Sequence, residues 1–175
     1  MSSYDLARRT LRSGLILGLL ALPLAGCFRP LYGVAAGGGS VEAALRGIVV
    51  DEVQDRIGHY LVQELGFELN GSGEQTAARY RLSMTVKETI QAAVVNTTTG
   101  RADAATILAT VNFTLTEIAT KKQIMQAVAF GTASYDRSPQ RFAAVRAARD
   151  AEIRVAKTLA DQLRTRIAAK LATGT

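Results

Sequence analysis

The sequence predicts an α+β fold: a two-layer sandwich with two helices packed on one face of a four-stranded sheet, in the order β-α-β-β-β-α. Three observations predict it. Segments between Tyr80 and Tyr135 alternate apolar and polar residues with period two, the mark of half-buried strands. Stretches after Asp51 and after Ser138 repeat apolar residues every three or four positions, the mark of a helix with one buried stripe. A helix that must bury a stripe and a sheet that must bury a face satisfy each other in two layers.

The 175 residues divide into a leader, a tether and one domain. Arg8, Arg9 and Arg12 precede a short apolar run from Leu15 to Leu22, and the small residues Ala25 and Gly26 precede Cys27. That order is a secretory signal peptide over residues 1–26. Its apolar run is shorter than the ~20 residues of a membrane-spanning helix. Leu24-Ala25-Gly26-Cys27 reads as a lipobox, the signal for cleavage before a cysteine and acylation of that cysteine. Cys27 is the only cysteine of the chain and stands where lipidation requires it. An ordinary signal peptide ending near a cysteine is the alternative, and Arg8-Arg9 leaves Sec and twin-arginine export both open.

One acyl chain binds a membrane reversibly, whereas several on one residue hold firmly. Bacterial lipoproteins resemble one another in carrying three chains, palmitate among them, on the first cysteine. Those kept at the inner membrane typically have Asp next. Phe28 stands there, which points to the outer membrane, on the periplasmic side.

Residues 27–44 are read as the acylated N-terminus and a tether, with Gly37-Gly38-Gly39-Ser40 its flexible part. Residues 45–175 are then a single α+β domain, long enough to bury a core. A single cysteine excludes an internal disulfide, so the fold must rest on packing. Loss of Arg8, Arg9, Arg12 and Asp5 with the leader lowers the net charge from +6 to +4. Residues 140–172 hold eight basic residues against Asp150, Glu152 and Asp161. Export argues against nucleic acid as the partner of this basic excess and leaves anionic lipid, an acidic partner or a solvated face.

Ile48-Val49-Val50 is a β-branched run and the first strand. Asp51 and Gln54, three apart, read as a capping box. Val53, Ile57, Leu61 and Leu65 give the following helix one stripe, and Gly58 beside it is expected to let the helix approach the sheet. Asn70-Gly71 is its stop. Three strands follow. Tyr80, Leu82, Met84 and Val86 share one face, and Ile107, Ala109, Val111, Phe113 and Leu115 share another. The segment from Gln123 to Tyr135 alternates less cleanly, with Ile124, Val128 and Phe130 on one side. Ala119 to Lys122 is a short hairpin connection and Asn96 to Asp103 a longer one. The last helix begins near Pro139, which suits the first helical position after Ser138. Its expected inner face is Val145, Ala148, Glu152, Ala156, Leu159, Leu163 and Ile167, with Arg149 able to pair with Glu152.

The residues of an enzyme are missing. The single histidine, His59, falls on the outer side of its helix, so no Ser-His-Asp arrangement can form. No cluster has metal-ligand spacing, and no Gly-rich phosphate loop joins a strand to a helix. No cofactor or metal is expected.

The unusual feature lies in the strands. No charged residue occurs between Glu88 and Arg101, between Asp103 and Glu117, or between Lys122 and Asp136. An open sheet face normally carries alternating charges. Two readings account for their lack. A Thr-rich sheet is simply solvated, since Thr favours strands. Alternatively, a partner covers the face, since interface cores are poor in charge, and Thr110, Asn112 and Thr114 are the partner-facing candidates.

Cys27 followed by Phe28-Arg29-Pro30-Leu31-Tyr32-Gly33, the element order, and Tyr80-Arg81-Leu82 opening a long hairpin resemble the lipopolysaccharide-assembly lipoprotein family LptE. The resemblance covers nearly all of the chain after residue 26. It implies a non-enzymatic lipoprotein that sits in the outer-membrane β-barrel LptD, helps that barrel assemble, binds lipopolysaccharide and takes part in its delivery to the outer leaflet. Only Cys27 carries over by motif, as the lipidated residue. Lys121, Lys122 and Arg101 are lipopolysaccharide-binding candidates by chemistry alone, because exposed lysines and arginines suit phosphate groups; two lysines that only solubilise a turn are the other reading. The competing function is a periplasm-facing lipid carrier or an auxiliary lipoprotein of a transporter.

Overall fold

Three long strands and one long helix set the frame of the computed structural model, which describes residues 40–71, 76–95, 100 and 102–174. The strands β2 (Tyr80–Val95), β3 (Ala102–Glu117) and β4 (Gln123–Asp136) follow the three period-two segments. A shorter strand, β1 (Ile48–Val50), runs parallel to β2, with Ile48 opposite Tyr80 and Val50 opposite Leu82. The sheet order is β1-β2-β3-β4, and the other pairings are antiparallel. The helices α2 (Arg56–Asn70) and α3 (Arg141–Thr173) cover one face. This is the expected α+β sandwich.

A further helix, α1 (Val41–Arg46), straddles the boundary after residue 44 at which the sequence reading ends the tether. Val41 and Leu45, four apart, are buried in the common core. Six residues are too few to display a period, so only tertiary packing makes this turn and a half helical. Gly47 follows it, and its carbonyl accepts the N–H groups of both Arg79 and Tyr80. A Cβ on Gly47 would press within 3.3 Å of the Ala77 carbonyl, so a bare backbone is what lets these segments meet.

The start of α2 departs from the capping-box reading. Asp51 instead extends β1: its N–H donates to the Leu82 carbonyl at 2.9 Å, and its carboxylate accepts the Ser83 hydroxyl at 2.7 Å. The helix starts five residues later, after Asp55. Val53 therefore belongs to the connection, and Gly58 serves it rather than the sheet. A Cβ on Gly58 would lie 2.7 Å from the Val53 Cβ. Ile57, Leu61, Leu65 and also Leu69 form the buried stripe, and the helix stops at Gly71, whose φ is 56°.

The helix α3 has 33 residues, about 50 Å at 1.5 Å per residue, enough to run the length of the sheet. It begins at Arg141 rather than near Pro139. Ser138 Oγ accepts the Gln140 N–H at 3.2 Å, so Ser138-Pro139 make a turn before the helix. Ala151, Glu152, Val155, Leu159, Leu163 and Ile167 are buried on its inner face. Val145, expected there, is 59% exposed. Tyr60 meets Arg149 and Glu68 meets Arg164, so α2 and α3 run side by side in the same direction. The first turns of α3 therefore lie ahead of the start of α2 and are left uncovered. Arg149 does not pair with Glu152; it donates to the Tyr60 hydroxyl at 2.7 Å, and Glu152 pairs with Arg56.

Beneath α3, β4 turns small residues inward. Ala129, Gly131 and Ala133 are buried, whereas Val128 and Phe130 point to the other face. A Cβ on Gly131 would sit 3.0 Å from Leu159 Cγ and 3.2 Å from Val155 Cγ1. The helix thus packs directly on the strand backbone, and the bulky residues of β4 have no room on that side. On β3 the large residues do face inward: Val111 is 0% and Phe113 1% exposed.

Phe113→Ala is expected to destabilise the domain by about 3–5 kcal/mol through the cavity it leaves. Phe130→Ala should change stability by no more than about 0.5 kcal/mol, as for a surface residue. Chemical unfolding of both variants checks the assignment of faces, and equal losses would contradict it.

Candidate functional site

The sheet face turned away from the helices is built by strand alternation. On β3 it carries Thr110, Asn112 and Thr114, each opposite one residue on either side: Thr110 between Lys87 and Phe130, Asn112 between Thr85 and Val128, Thr114 between Ser83 and Gln126. The structure thus brings the three candidates together on the open face. Asn112 is exposed, and the two threonines are half-buried among their neighbours. The outward charges near them, Arg81 and Lys87, belong to β2. From β3 to β4 the face is uncharged from Thr106 and Ser134 to Thr116 and Gln126.

Two large and exposed apolar residues on this face were not singled out as functional from the sequence. Phe130 is 63% and Val128 39% exposed, and both lie next to the Thr110–Thr114 row. Ile124, which shares their parity in sequence, parts from them at a register shift beside Leu115 and packs partly on the core. The available signal was the opposite parity: a row of Ala and Gly residues marks the side on which a helix rests.

The edges of the sheet differ. Along β4, side chains of α3 reach over and donate to strand carbonyls: Arg154 to Ser134 at 3.0 Å, Gln162 to Phe130 at 3.1 Å and Arg166 to Val128 at 2.6 Å. Spaced by multiples of four, these residues share one helix face and close the edge against strand addition. Part of the basic excess on α3 therefore serves its own sheet. Along β2 the short β1 pairs with Tyr80–Leu82 only.

The lysine candidates sit at one end of the molecule. Lys121 and Lys122 are exposed in the β3–β4 turn, and Lys121 takes φ 55°, a left-handed conformation costly for a side chain with a Cβ. Lys122 shares a cavity of about 630 Å³ with Lys170 and Arg79. Arg101 lies outside the described residues. Cys27 and the leader also lie outside the described residues.

The family model for LptE, lipopolysaccharide-assembly, matches residues 44–167. The chain belongs to that family. The match spans all four strands, which make the open face, and most of α3, which covers the other. Among solved structures, the chain is similar to a lipoprotein from Caulobacter crescentus CB15, with 22% identity, a TM-score of 0.63, and 75% of this chain and 96% of that one covered. It is also similar to a minor lipoprotein from Acinetobacter baumannii, with 18% identity, a TM-score of 0.51, and 72% and 91% covered. At these identities the likeness shows a shared fold. No protein of curated function matches the sequence. The LptE family works without catalysis in lipopolysaccharide assembly. Among the described residues, no group of three or more His, Cys, Asp or Glu side chains could hold a metal ion. His59, on the outer side of α2, is exposed.

One charged cluster lies on the helix side. Glu152 is 1% exposed and pairs with Arg56, while its Oε2 has no hydrogen-bond partner among the described residues. Glu88, near this pair, has its carboxyl raised above the ordinary value, first by burial and then by the Glu152 carboxylate, with Arg56 opposing. A raised carboxyl means that folding favours the protonated form. That stabilisation is complete below the ordinary carboxyl range and is lost as pH rises through the folded value. Glu88→Gln is therefore expected to raise Tm at pH 7 and to leave it unchanged at about pH 3.5, below the unfolded carboxyl value. Melting curves at the two pH values check this, and a lower Tm at pH 7 would show that the charge is favourable where it stands.

Proposed function

We propose that this chain is an outer-membrane lipoprotein, held on the periplasmic side by acyl chains on Cys27, that joins an LptD-like β-barrel and assists lipopolysaccharide assembly. Membership of the LptE family supports the process. The lipobox supports the anchor, as does the lipoprotein character of the proteins from Caulobacter crescentus and Acinetobacter baumannii that share the fold. The observation that carries the barrel is the open sheet face, uncharged across β3 and β4 and bearing Phe130 and Val128 in water. Surfaces at the centre of interfaces are poor in charge and rich in aromatic residues. In this reading Thr110, Asn112 and Thr114 face the barrel. Lys121, Lys122 and Arg101 meet phosphate groups of lipopolysaccharide. Nucleic acid has no place in an exported chain, and no cofactor is needed.

The carrier reading draws on the cavity beside Lys122, which could hold a lipid without a barrel. The two differ in what the sheet face does. Thr110→Lys together with Thr114→Lys should fold, because water solvates charges on an open face. Inside a barrel the same lysines would lose water without gaining partners, which is strongly unfavourable. The double variant is expected to melt within a few degrees of the unchanged chain yet to recover no barrel when purified from membranes. Normal recovery of the barrel would return the face to a solvated surface, and loss of folding would mean that the face is internal.

A further inference from the structure

Side chains of α3 close the β4 edge of the sheet, whereas β1 covers the β2 edge only as far as Leu82. Tyr80 donates to the Gly47 carbonyl and Leu82 accepts the Asp51 N–H, so alternate residues of β2, counted from Tyr80, turn their backbone to this edge. Met84, Val86, Glu88 and Ile90 continue the series. None of the described residues bonds to their N–H and C=O groups on that side. An edge left in this state is a template for a further strand, and proteins blunt such edges with charge. Here residues 89–95 carry no charge, proline or glycine. Lys87 points to the open face, opposite Thr110, and Glu88 to the helix side, opposite the buried Ala109.

Glu88 does not stand in neutral surroundings. It feels the carboxylates of Glu152 and Asp55 against one cation, Arg56, which is bonded to Glu152. Glu152 is buried, and its Oε2 has no hydrogen-bond partner among the described residues. Bare apolar surface adjoins this negative excess. Ile90, two residues along on the same face as Glu88, is 54% exposed. Phe142 and Val145 lie two turns and one turn before Arg149, on the side of α3 that meets α2 further along, and both are exposed. Unpaired backbone, unanswered carboxylates and uncovered apolar side chains thus meet at the start of α2.

We propose that an extended segment of a partner protein adds to β2 as a strand alongside residues 84–90, with a lysine or arginine opposite Glu88 and an apolar side chain opposite Ile90. Strand addition of this kind takes affinity from main-chain hydrogen bonds and specificity from alternate side chains. Side chains two apart share a face, so the cation and the apolar group both lie on the helix side. The cation meets Glu88 and Glu152, and the apolar group extends the surface of Ile90 and Val145. The residue between them points the other way and is free to vary. Charge complementarity selects this partner, because an acidic segment would add to carboxylates that already outnumber their arginine. It also disfavours a second copy of this chain. Residues directly opposite in an antiparallel pair share a face, so the β2 of a second copy would carry its Lys87 on the outward side, away from Glu88. The site lies on the edge and the helix side, and it does not depend on what covers the open face.

Two synthetic peptides of alternating threonine and valine test the site, one with a central valine replaced by lysine and the other with the same valine replaced by glutamate. Amide hydrogen exchange of the purified full chain is followed by NMR with each peptide in excess. The lysine peptide should slow exchange at Met84, Val86, Glu88 and Ile90 at least tenfold, and the glutamate peptide should need at least ten times the concentration for the same effect. Glu88→Lys, at an exposed position, should fold and reverse the preference, which general stickiness of an edge would not do. In cells, Ala92→p-benzoylphenylalanine, on the same face beyond Ile90, should capture a protein segment with a basic residue two positions from an apolar one. Glu88→Lys should lower that capture severalfold. Exchange unchanged by either peptide, equal response to both, a preference that Glu88→Lys leaves as it was, or no captured segment with this pattern would overturn the proposal.

Discussion

The close seat of α3 on β4 governs the rest of the molecule. At Gly131 there is no room for a side chain, since a Cβ would stand 3.0 Å from Leu159. Ala129 and Ala133 continue the same low ridge. Interiors are packed as densely as organic crystals, so a helix at this distance leaves β4 no place for bulk on the inner side. Val128 and Phe130 must then face outward. The same closeness lets Arg154, Gln162 and Arg166 reach over to the outer carbonyls of β4, so one contact sets the sidedness of the strand and closes its edge.

On β3 the arrangement is reversed, with Phe113, Ile107 and Leu115 filling the space between the layers. The inner face thus takes its volume from the middle of the sheet and its nearness from the edge. Both helices are spent on that face, and none of the described residues covers the other. The sheet is left with one satisfied side and one side that across β3 and β4 carries Thr, Asn, Gln, Ser, Leu, Val and Phe, with Arg81 and Lys87 beside it on β2. For a family engaged in lipopolysaccharide assembly, a domain with an open, nearly uncharged face has a surface suited to enclosure by another protein. Lys122 and Lys170, meanwhile, meet at the end where the described chain begins at Ser40.

Much of this was legible in the sequence, and the failures have physical causes. The strands and helices show because alternation and four-residue stripes are local. The charge gaps show because they are simple absences. The outward turn of Phe130 was hidden, since apolarity argues for burial and only the size of Ala129, Gly131 and Ala133 reveals where the helix lies. Asp51 looked like a cap because its true partner, Ser83, comes from another strand. Glu152 looked free to pair with its neighbour Arg149, whereas its partner Arg56 lies on the other helix. Lys122 was visible as a cation, but Arg79 and Lys170, which share its cavity, are distant in sequence.

The central claim is that close packing on one side of the sheet leaves the other as the surface that a partner covers. Hydroxyl-radical footprinting at Phe130 tests it most directly, comparing the purified chain with the chain assembled in its membrane. At 63% exposure, the free Phe130 ring should be oxidised readily, as a surface aromatic. In the assembled state its oxidation should fall severalfold, while Phe113 stays protected in both. Equal oxidation of Phe130 in the two states would contradict the account, because the open face would then be bare in the membrane as well.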